Sequence, residues 1–168
     1  MSEQWDHLGK SIRHQYIRWW HSQQEPYTDE EILRLTEPKY AEMCQRIAQK
    51  RRAGEAYSVG EEGFAALLGV ILLAFGRLEA IDTILDCMPS QEQSEGMSTL
   101  MYDVQVLLRM LDVPYDFSPL RTATHEGPAL VRKWVDFYRD ALRWDEDMGY
   151  YVLDGWTWDE DTGRYVAQ

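Results

Sequence analysis

Apolar side chains recur at steps of three and four residues along the first 143 positions, which is the period of an amphipathic helix. Glycine, proline and capping residues interrupt this pattern and mark where helices begin and end. The predicted helices occupy residues 4–23, 28–35, 36–52, 58–76, 94–111 and 126–143, and residues 77–88 either continue the fourth of these or form a new helix. We therefore predict an all-α fold, a helical bundle of five to six helices, with a small C-terminal β-hairpin or meander.

Local signals refine the helix boundaries. Thr28-Asp-Glu-Glu31 has the form of a capping box, and Pro38 predicts that a new helix begins just before it, because proline is tolerated in a first turn. Residues 64–75 carry no charge, which predicts a helix buried around most of its circumference. Several large side chains are predicted to face the core, namely Leu8, Ile12, Tyr16, Trp19, Leu130, Trp134 and Phe137.

The last 25 residues have a different pattern. The segment Trp144-Asp-Glu-Asp-Met-Gly-Tyr-Tyr-Val152 recurs fourteen positions later as Trp158-Asp-Glu-Asp-Thr-Gly-Arg-Tyr-Val166. Asp154-Gly155 between the copies is typical of a two-residue hairpin turn. We predict strands at 150–153, 156–158 and 164–167 as one antiparallel meander. The domain organisation expected is a bundle over 1–143, with the acidic, aromatic-rich segment 144–168 packed on it.

Charge is distributed unevenly along the chain. The 168 residues carry a net charge of −12, which argues against nucleic-acid binding because phosphates require a basic surface. Residues 1–53 hold 9 basic and 8 acidic side chains, whereas residues 54–168 hold 8 and 21. The uncharged run 63–76 would span about 21 Å as a helix, too short for a bilayer core. With its polar first residues, the sequence predicts a cytoplasmic protein without membrane contact.

Motifs that carry catalysis are missing from the sequence, which contains no GxxxxGK[ST], GxGxxG, GxSxG or HExxH pattern. His7, His14 and His21 repeat every seven residues, but successive members are about 10.5 Å apart along a helix, too far for one metal ion. Cys44 and Cys87 are interpreted as buried small side chains. We therefore expect no enzyme activity, no cofactor and no metal site.

Acidic and aromatic side chains are both concentrated in the C-terminal segment, a composition suited to capping a basic surface. Aromatic rings are enriched in interface cores, and acidic side chains speed the approach of a cationic partner. The sequence thus predicts a binding site for a basic protein partner. Its predicted residues are Trp144, Asp145, Glu146, Asp147, Tyr150, Trp156, Asp159, Glu160 and Asp161.

Several segments resemble one known family. They are Ile12-Arg-His-Gln-Tyr-Ile-Arg18, Glu25-Pro-Tyr-Thr-Asp-Glu-Glu-Ile32, residues 64–75 with Leu78-Glu-Ala-Ile-Asp-Thr-Ile-Leu85, Trp134-Val-Asp-Phe-Tyr138, Gly149-Tyr-Tyr151 and Trp156-Thr-Trp158. In this order they resemble the PoNi-type immunity proteins of bacterial polymorphic toxin systems. The resemblance implies a cytoplasmic helical protein that binds and blocks a cognate toxin, often a nuclease.

Three other interpretations remain open from the residues alone. The repeated segment could dock on other copies of the chain, as in a phage or scaffold protein. Its clustered carboxylates could bind calcium, although neither copy supplies a full EF-hand loop. Alternatively, the rings face the bundle and the acidic side chains only increase solubility.

Overall fold

The computed structural model of the chain describes residues 7–22, 26–55, 59–87, 95–109, 126–161 and 164–167. The helices in these ranges are α1 Leu8–Trp20, α2 Asp29–Ala53, α3 Val59–Leu73, α4 Ala80–Cys87, α5 Glu95–Leu107 and α6 Glu126–Tyr138. A 3-10 turn, Arg139–Ala141, leads into four strands: β1 Leu142–Asp145, β2 Tyr150–Leu153, β3 Trp156–Asp159 and β4 Arg164–Ala167. The predicted helical bundle with a small C-terminal antiparallel element is confirmed.

Helix α3, which contains most of the charge-free run 64–75, lies at the centre of the bundle, and this run is largely buried as its sequence predicted. It packs against α1, α2, α4 and α5, and its side chains from Leu68 to Leu73 are buried. Gly69 allows α4 to approach closely, because a Cβ atom there would lie only 2.9 Å from Cγ1 of Ile84. None of the described helices is long and apolar enough to cross a membrane.

Helix α2 is continuous through Pro38, so the predicted break before this proline is wrong. The buried face of α2 runs without interruption through Ile32, Thr36, Met43 and Ile47, while Pro38 is exposed. Continuous packing along this face outweighs the lost backbone hydrogen bond, which costs about 3 kcal/mol. The capping box at Thr28 is confirmed, since the N–H of Glu31 donates to Thr28 Oγ1 at 3.2 Å.

Two aromatic side chains predicted to face the core are exposed instead. Trp19 is 48% exposed because the buried face of α1 centres on Ile12, Arg13, Tyr16 and Ile17, which leaves Trp19 at its edge. Its ring stacks on that of Tyr16, with centroids 4.4 Å apart.

Phe137 is 71% exposed. Helix α6 buries Val131, Trp134 and Val135, a stripe offset from the predicted one, and Phe137 lies on the other side of the helix. This side chain is therefore available on the surface of the bundle.

The C-terminal strands form two separate hairpins, so the predicted three-stranded meander is wrong. Hairpin 1 pairs β1 with β2 and sets Trp144 opposite Tyr151; hairpin 2 pairs β3 with β4 and sets Trp158 opposite Tyr165. Asp154-Gly155 joins strands of two different sheets rather than closing a hairpin. The helix predicted to reach Arg143 ends at Tyr138, because residues 142–145 pair as β1.

Candidate functional site

The turn of hairpin 1 is built by the first aspartate of the repeated segment. Asp145 Oδ1 accepts the backbone N–H groups of Asp147 at 3.0 Å and Met148 at 3.1 Å. The N–H of Gly149 donates to the carbonyl of Asp145 at 2.8 Å, and Gly149 has a φ of 74°. Asp145 thus shapes the turn, and the carboxylates of Glu146 and Asp147 are exposed.

The turn of hairpin 2 repeats this arrangement where it is described. The N–H of Asp161 donates to Asp159 Oδ1 at 3.0 Å, and Glu160 and Asp161 are exposed. Of the six predicted acidic residues, Asp145 and Asp159 are therefore half-buried and organise the turns, whereas the other four face solvent. We refer to residues 145–147 and 159–161 as the acidic turns.

The ring of Trp144 fits into a groove formed by two glycines of the bundle. A Cβ atom on Gly9 would lie 2.7 Å from its Cη2, and one on Gly76 would lie 2.7 Å from its Cγ. The edge of the His7 ring completes the groove, with centroids 6.2 Å apart. Trp144, predicted as an anchor for a partner, therefore anchors hairpin 1 to its own bundle.

Hydrogen bonds hold the turn of hairpin 1 against the start of α1. The N–H of Leu8 donates to the carbonyl of Met148 at 3.1 Å. His7 Nδ1 accepts the N–H of Lys10 at 2.9 Å, so the proton lies on Nε2, which donates to the carbonyl of Glu146 at 2.8 Å. The position of this acidic turn is thus fixed relative to the bundle.

Two tyrosines of β2 also contact the bundle. Tyr151 is 1% exposed, and its hydroxyl donates to the carbonyl of Leu73 at 3.0 Å. Burial, with a smaller effect from the charge of Glu79, raises the pKa of Tyr151 above its usual value. Tyr150, a predicted partner-binding residue, lies beneath the guanidinium of Arg109, whose Cζ is 4.6 Å from the ring centroid.

Trp156 is the predicted anchor that joins a surface cluster of rings. Its centroid lies 5.1 Å from that of Tyr138 and 6.2 Å from that of Phe137, both edge-on. Trp156 is half-buried and Phe137 is exposed. We call these three residues the aromatic patch. Phe137 was predicted to face the core and not to bind a partner, whereas burial of Val131, Trp134 and Val135 places it on the outer side of α6.

The acidic turn of hairpin 2 (residues 159–161) and Trp156 of the aromatic patch lie at opposite ends of β3. Trp156 begins β3 and Asp159 ends it, a separation of about 10 Å at the rise of a strand. Charges beside the patch have mixed signs, since Asp136 and Lys133 are both exposed. Negative charge is therefore concentrated at the turns, and apolar area at the base of the hairpin.

No three His, Cys, Asp or Glu side chains within the described ranges are grouped so that they could hold a metal ion. Asp145 and Asp159 each direct one carboxylate oxygen to a backbone N–H of their own turn.

Comparison with protein-family models, with curated proteins and with solved structures finds no match for this chain.

Proposed function

We propose that this chain is a non-catalytic acidic binding protein, an immunity protein that binds a basic cognate toxin in the cytoplasm and occludes it. The observation that carries the proposal is the duplicated acidic turn. Two copies of one turn hold four exposed carboxylates, and hydrogen bonds from His7 and Leu8 fix the first copy on the bundle. Clustered carboxylates of this kind favour rapid encounter with a cationic surface.

The aromatic patch would supply the buried contact in this proposal. Interfaces derive most of their affinity from a few large side chains that become desolvated, and aromatic residues are prominent among them. Phe137, at 71% exposure, has the most area to bury, and the contacts of Tyr138 and Trp156 hold it in place. The acidic turns would thus set the association rate, and the aromatic patch would set the lifetime of the complex.

The product of the reading frame adjacent to this chain in its genome is the first partner to test, with nucleases as the first toxin class. We expect this product to be basic, to arrest growth when expressed alone, and to form a stable complex with the purified chain. Co-expression of the wild-type chain should restore growth, and Phe137→Ala should weaken the rescue. A neighbour that is not toxic and forms no complex would contradict the proposal.

A structural or self-assembly protein is the second candidate, favoured by the exposed ring of Phe137 on a surface of mixed charge. Light scattering over a range of protein concentrations separates the two functions. Growth of the particle with concentration, suppressed by Phe137→Ala, would support assembly. A constant mass would support the immunity proposal.

A further inference from the structure

A link of only two residues, Asp154 and Gly155, joins hairpin 1 to hairpin 2. Asp154 follows the buried Leu153 at the end of β2, and Gly155 precedes Trp156 at the start of β3. Both residues of the link are exposed, and the side chain of Asp154 is 67% exposed. The link is therefore open to solvent, although the chain on either side of it is held in a strand.

Hydrogen bonding fixes the backbone of this link on one side only. The N–H of Asp154 donates to the carbonyl of Ala141 at 2.6 Å. Within the described part of the chain, no hydrogen bond holds the N–H of Gly155. Nothing lies within 4 Å of the position that a Cβ atom would take on Gly155. The amide nitrogen of Gly155 thus has room to turn towards the side chain of Asp154.

This freedom has a chemical consequence, because the carboxyl group of an aspartate can react with the amide nitrogen that follows it in the chain. Attack of that nitrogen on Cγ closes a five-membered succinimide ring. Glycine after the aspartate hinders the attack least, since it has no Cβ. Asp154-Gly155 is the only Asp-Gly pair in the sequence. The two reacting groups are adjacent, so ring closure is intramolecular and requires only bond rotations within Asp154.

Two other aspartates of the C-terminal segment are held in a different way. Asp145 Oδ1 accepts two backbone N–H groups of its own turn, at 3.0 and 3.1 Å, and Asp159 Oδ1 accepts one at 3.0 Å. Those amides lie two or three residues further on, so each carboxylate is directed away from the amide that follows it. The carboxylate of Asp154 has a looser contact, an exposed ion pair in which Oδ2 lies 3.7 Å from Nε of Arg143.

We propose that Asp154-Gly155 is a site of spontaneous covalent modification, at which the aspartate converts to isoaspartate through a succinimide. In the first step the Gly155 nitrogen bonds to Cγ of Asp154, and the hydroxyl of the protonated carboxyl group leaves with the amide proton as one water molecule. In the second step a water molecule adds to the α-carbonyl carbon of Asp154, and the bond from this carbon to the Gly155 nitrogen breaks. The former α-carbonyl carbon becomes a free carboxylate, and nothing is oxidised or reduced.

Isoaspartate lengthens the link by one methylene group, because Cβ of Asp154 becomes part of the main chain. Trp156 lies directly after the link and packs edge-on against Tyr138, with ring centroids 5.1 Å apart. We expect the longer link to loosen this contact and so to alter the aromatic patch. Hairpin 1 keeps its own contacts through Trp144 and Tyr151. The modification therefore acts on hairpin 2, and the net charge of the chain does not change.

The test incubates the full-length chain in neutral buffer at physiological temperature and locates isoaspartate by mass spectrometry, with fragmentation that distinguishes it from aspartate. Trypsin releases residues 144–164 as one peptide, which contains Asp145, Asp147, Asp154, Asp159 and Asp161. All five sites are thus compared within one peptide. We expect Asp154 to convert at least about tenfold faster than Asp145 or Asp159. A synthetic peptide of the same residues gives the rate without the fold, and the folded chain should convert at Asp154 within about threefold of that rate.

Variants separate this chemistry from general degradation. Asp154→Glu keeps the charge but would need a six-membered ring, so conversion at this position should be lost. Gly155→Ala keeps the carboxylate and should lose most of the conversion, because its methyl group hinders the attack. The matched control Asp140→Glu, which makes the same change at another exposed aspartate, should convert at Asp154 like wild type.

Several results would overturn this assignment. Conversion of the peptide but not of the folded chain would mean that the fold protects the link. Equal conversion at Asp145 and Asp154, or wild-type conversion in Gly155→Ala, would remove the distinction on which the site depends. After conversion, near-ultraviolet circular dichroism should show a changed aromatic signal in wild type and none in Asp154→Glu. An unchanged signal in fully converted wild type would contradict the expected loosening of hairpin 2.

Discussion

Hairpins 1 and 2 share a nine-residue sequence pattern and the same strand register, yet their surroundings differ. In hairpin 1 the ring of Trp144 occupies the groove between Gly9 and Gly76, and Tyr151 reaches the carbonyl of Leu73. Hairpin 2 contacts α6 through Trp156, beside the exposed Phe137. The repeated segment therefore encodes a turn, whereas the two rings that pack on helices are not equivalent, since Trp144 belongs to the first copy and Trp156 precedes the second.

The residues at the base of each hairpin account for much of this difference. Leu142 and Leu153 face each other in hairpin 1 and are 5% and 8% exposed. Fourteen residues later the corresponding pair is Trp156 and Ala167, of which Trp156 is half-buried. The base of hairpin 1 is therefore part of the core, whereas Trp156 at the base of hairpin 2 packs at the edge of the core.

The largest expected effect is the loss of the ring in the glycine groove. Trp144→Ala should lower the free energy of unfolding by about 3–5 kcal/mol, because the helices around Gly9 and Gly76 cannot close the space. Trp156→Ala should cost less than about 2 kcal/mol, because this ring, which is half-buried like that of Trp144, contacts only the edges of Phe137 and Tyr138. Urea denaturation measures both, and a Trp156 variant less stable than the Trp144 variant would contradict the comparison.

Replacing two glycines that have positive φ separates the cost of a steric clash from the cost of backbone strain. Gly149→Ala should cost about 2–4 kcal/mol, because its Cβ atom would lie 2.3 Å from His7 Nδ1 in addition to the strain of a φ of 74°. Gly155→Ala should cost only about 1 kcal/mol, since its φ is 81° but nothing lies within 4 Å of its Cβ. Equal melting temperatures for the two variants would argue against docking of hairpin 1 on α1.

The buried hydroxyl of β2 should contribute a smaller amount. Tyr151→Phe leaves the carbonyl of Leu73 without the hydrogen bond of 3.0 Å, and we expect a loss of about 1–2 kcal/mol in denaturant unfolding. The exposed Tyr102→Phe serves as a matched control and should change stability by less than about 0.5 kcal/mol. A Tyr151 variant as stable as this control would mean that the hydroxyl does not fasten hairpin 1.

We expect the smallest loss in the free energy of unfolding on acidification, which protonates Asp29 in the helical bundle. Burial raises the pKa of Asp29, but the hydrogen bonds and charges of Arg13 and His14 outweigh it and lower the pKa from 3.8 to about 2. Arg13 also donates to the carbonyl of Ala74 at 2.9 Å, which links α1 to the end of α3.

Because the pKa of Asp29 is lower in the folded state, its contribution is present above pH 3.8 and is lost as the pH falls towards 2. Solvent screening at this half-exposed carboxylate limits the loss to about 1 kcal/mol. Stability curves of wild type and Asp29→Asn should converge at low pH. Parallel curves between pH 5 and 2 would contradict the assignment.

The helical part of the fold was predictable because its signals are local. The capping box at Thr28 and the charge-free stretch of α3 each specify a helix within one or two turns. The continuity of α2 through Pro38 was not predictable from the local sequence, because the packing of Ile32 and Met43 on other helices decides it.

The hairpin turns also could not be predicted from the local sequence alone. Asp154-Gly155 carries the stronger dipeptide signal, but Asp145 and Gly149 close the hairpin through a carboxylate cap and a positive φ. Glu146, Asp147, Glu160 and Asp161 lie in these turns, directly after Asp145 and Asp159 at the ends of β1 and β3. Tertiary packing decides which rings remain accessible. Trp144 lies in the groove formed by Gly9 and Gly76, whereas Phe137, predicted to face the core, is exposed.

The association rate with the cognate partner tests the central claim most directly. Reversing the four exposed carboxylates of the acidic turns to lysine (Glu146, Asp147, Glu160 and Asp161) should slow association at least about tenfold at low salt. The matched reversal of four exposed acids on the bundle (Glu30, Glu42, Glu55 and Glu79) changes net charge equally and should slow it less than about threefold. Equal rates for the two variants, measured by stopped flow, would contradict the role of the acidic turns.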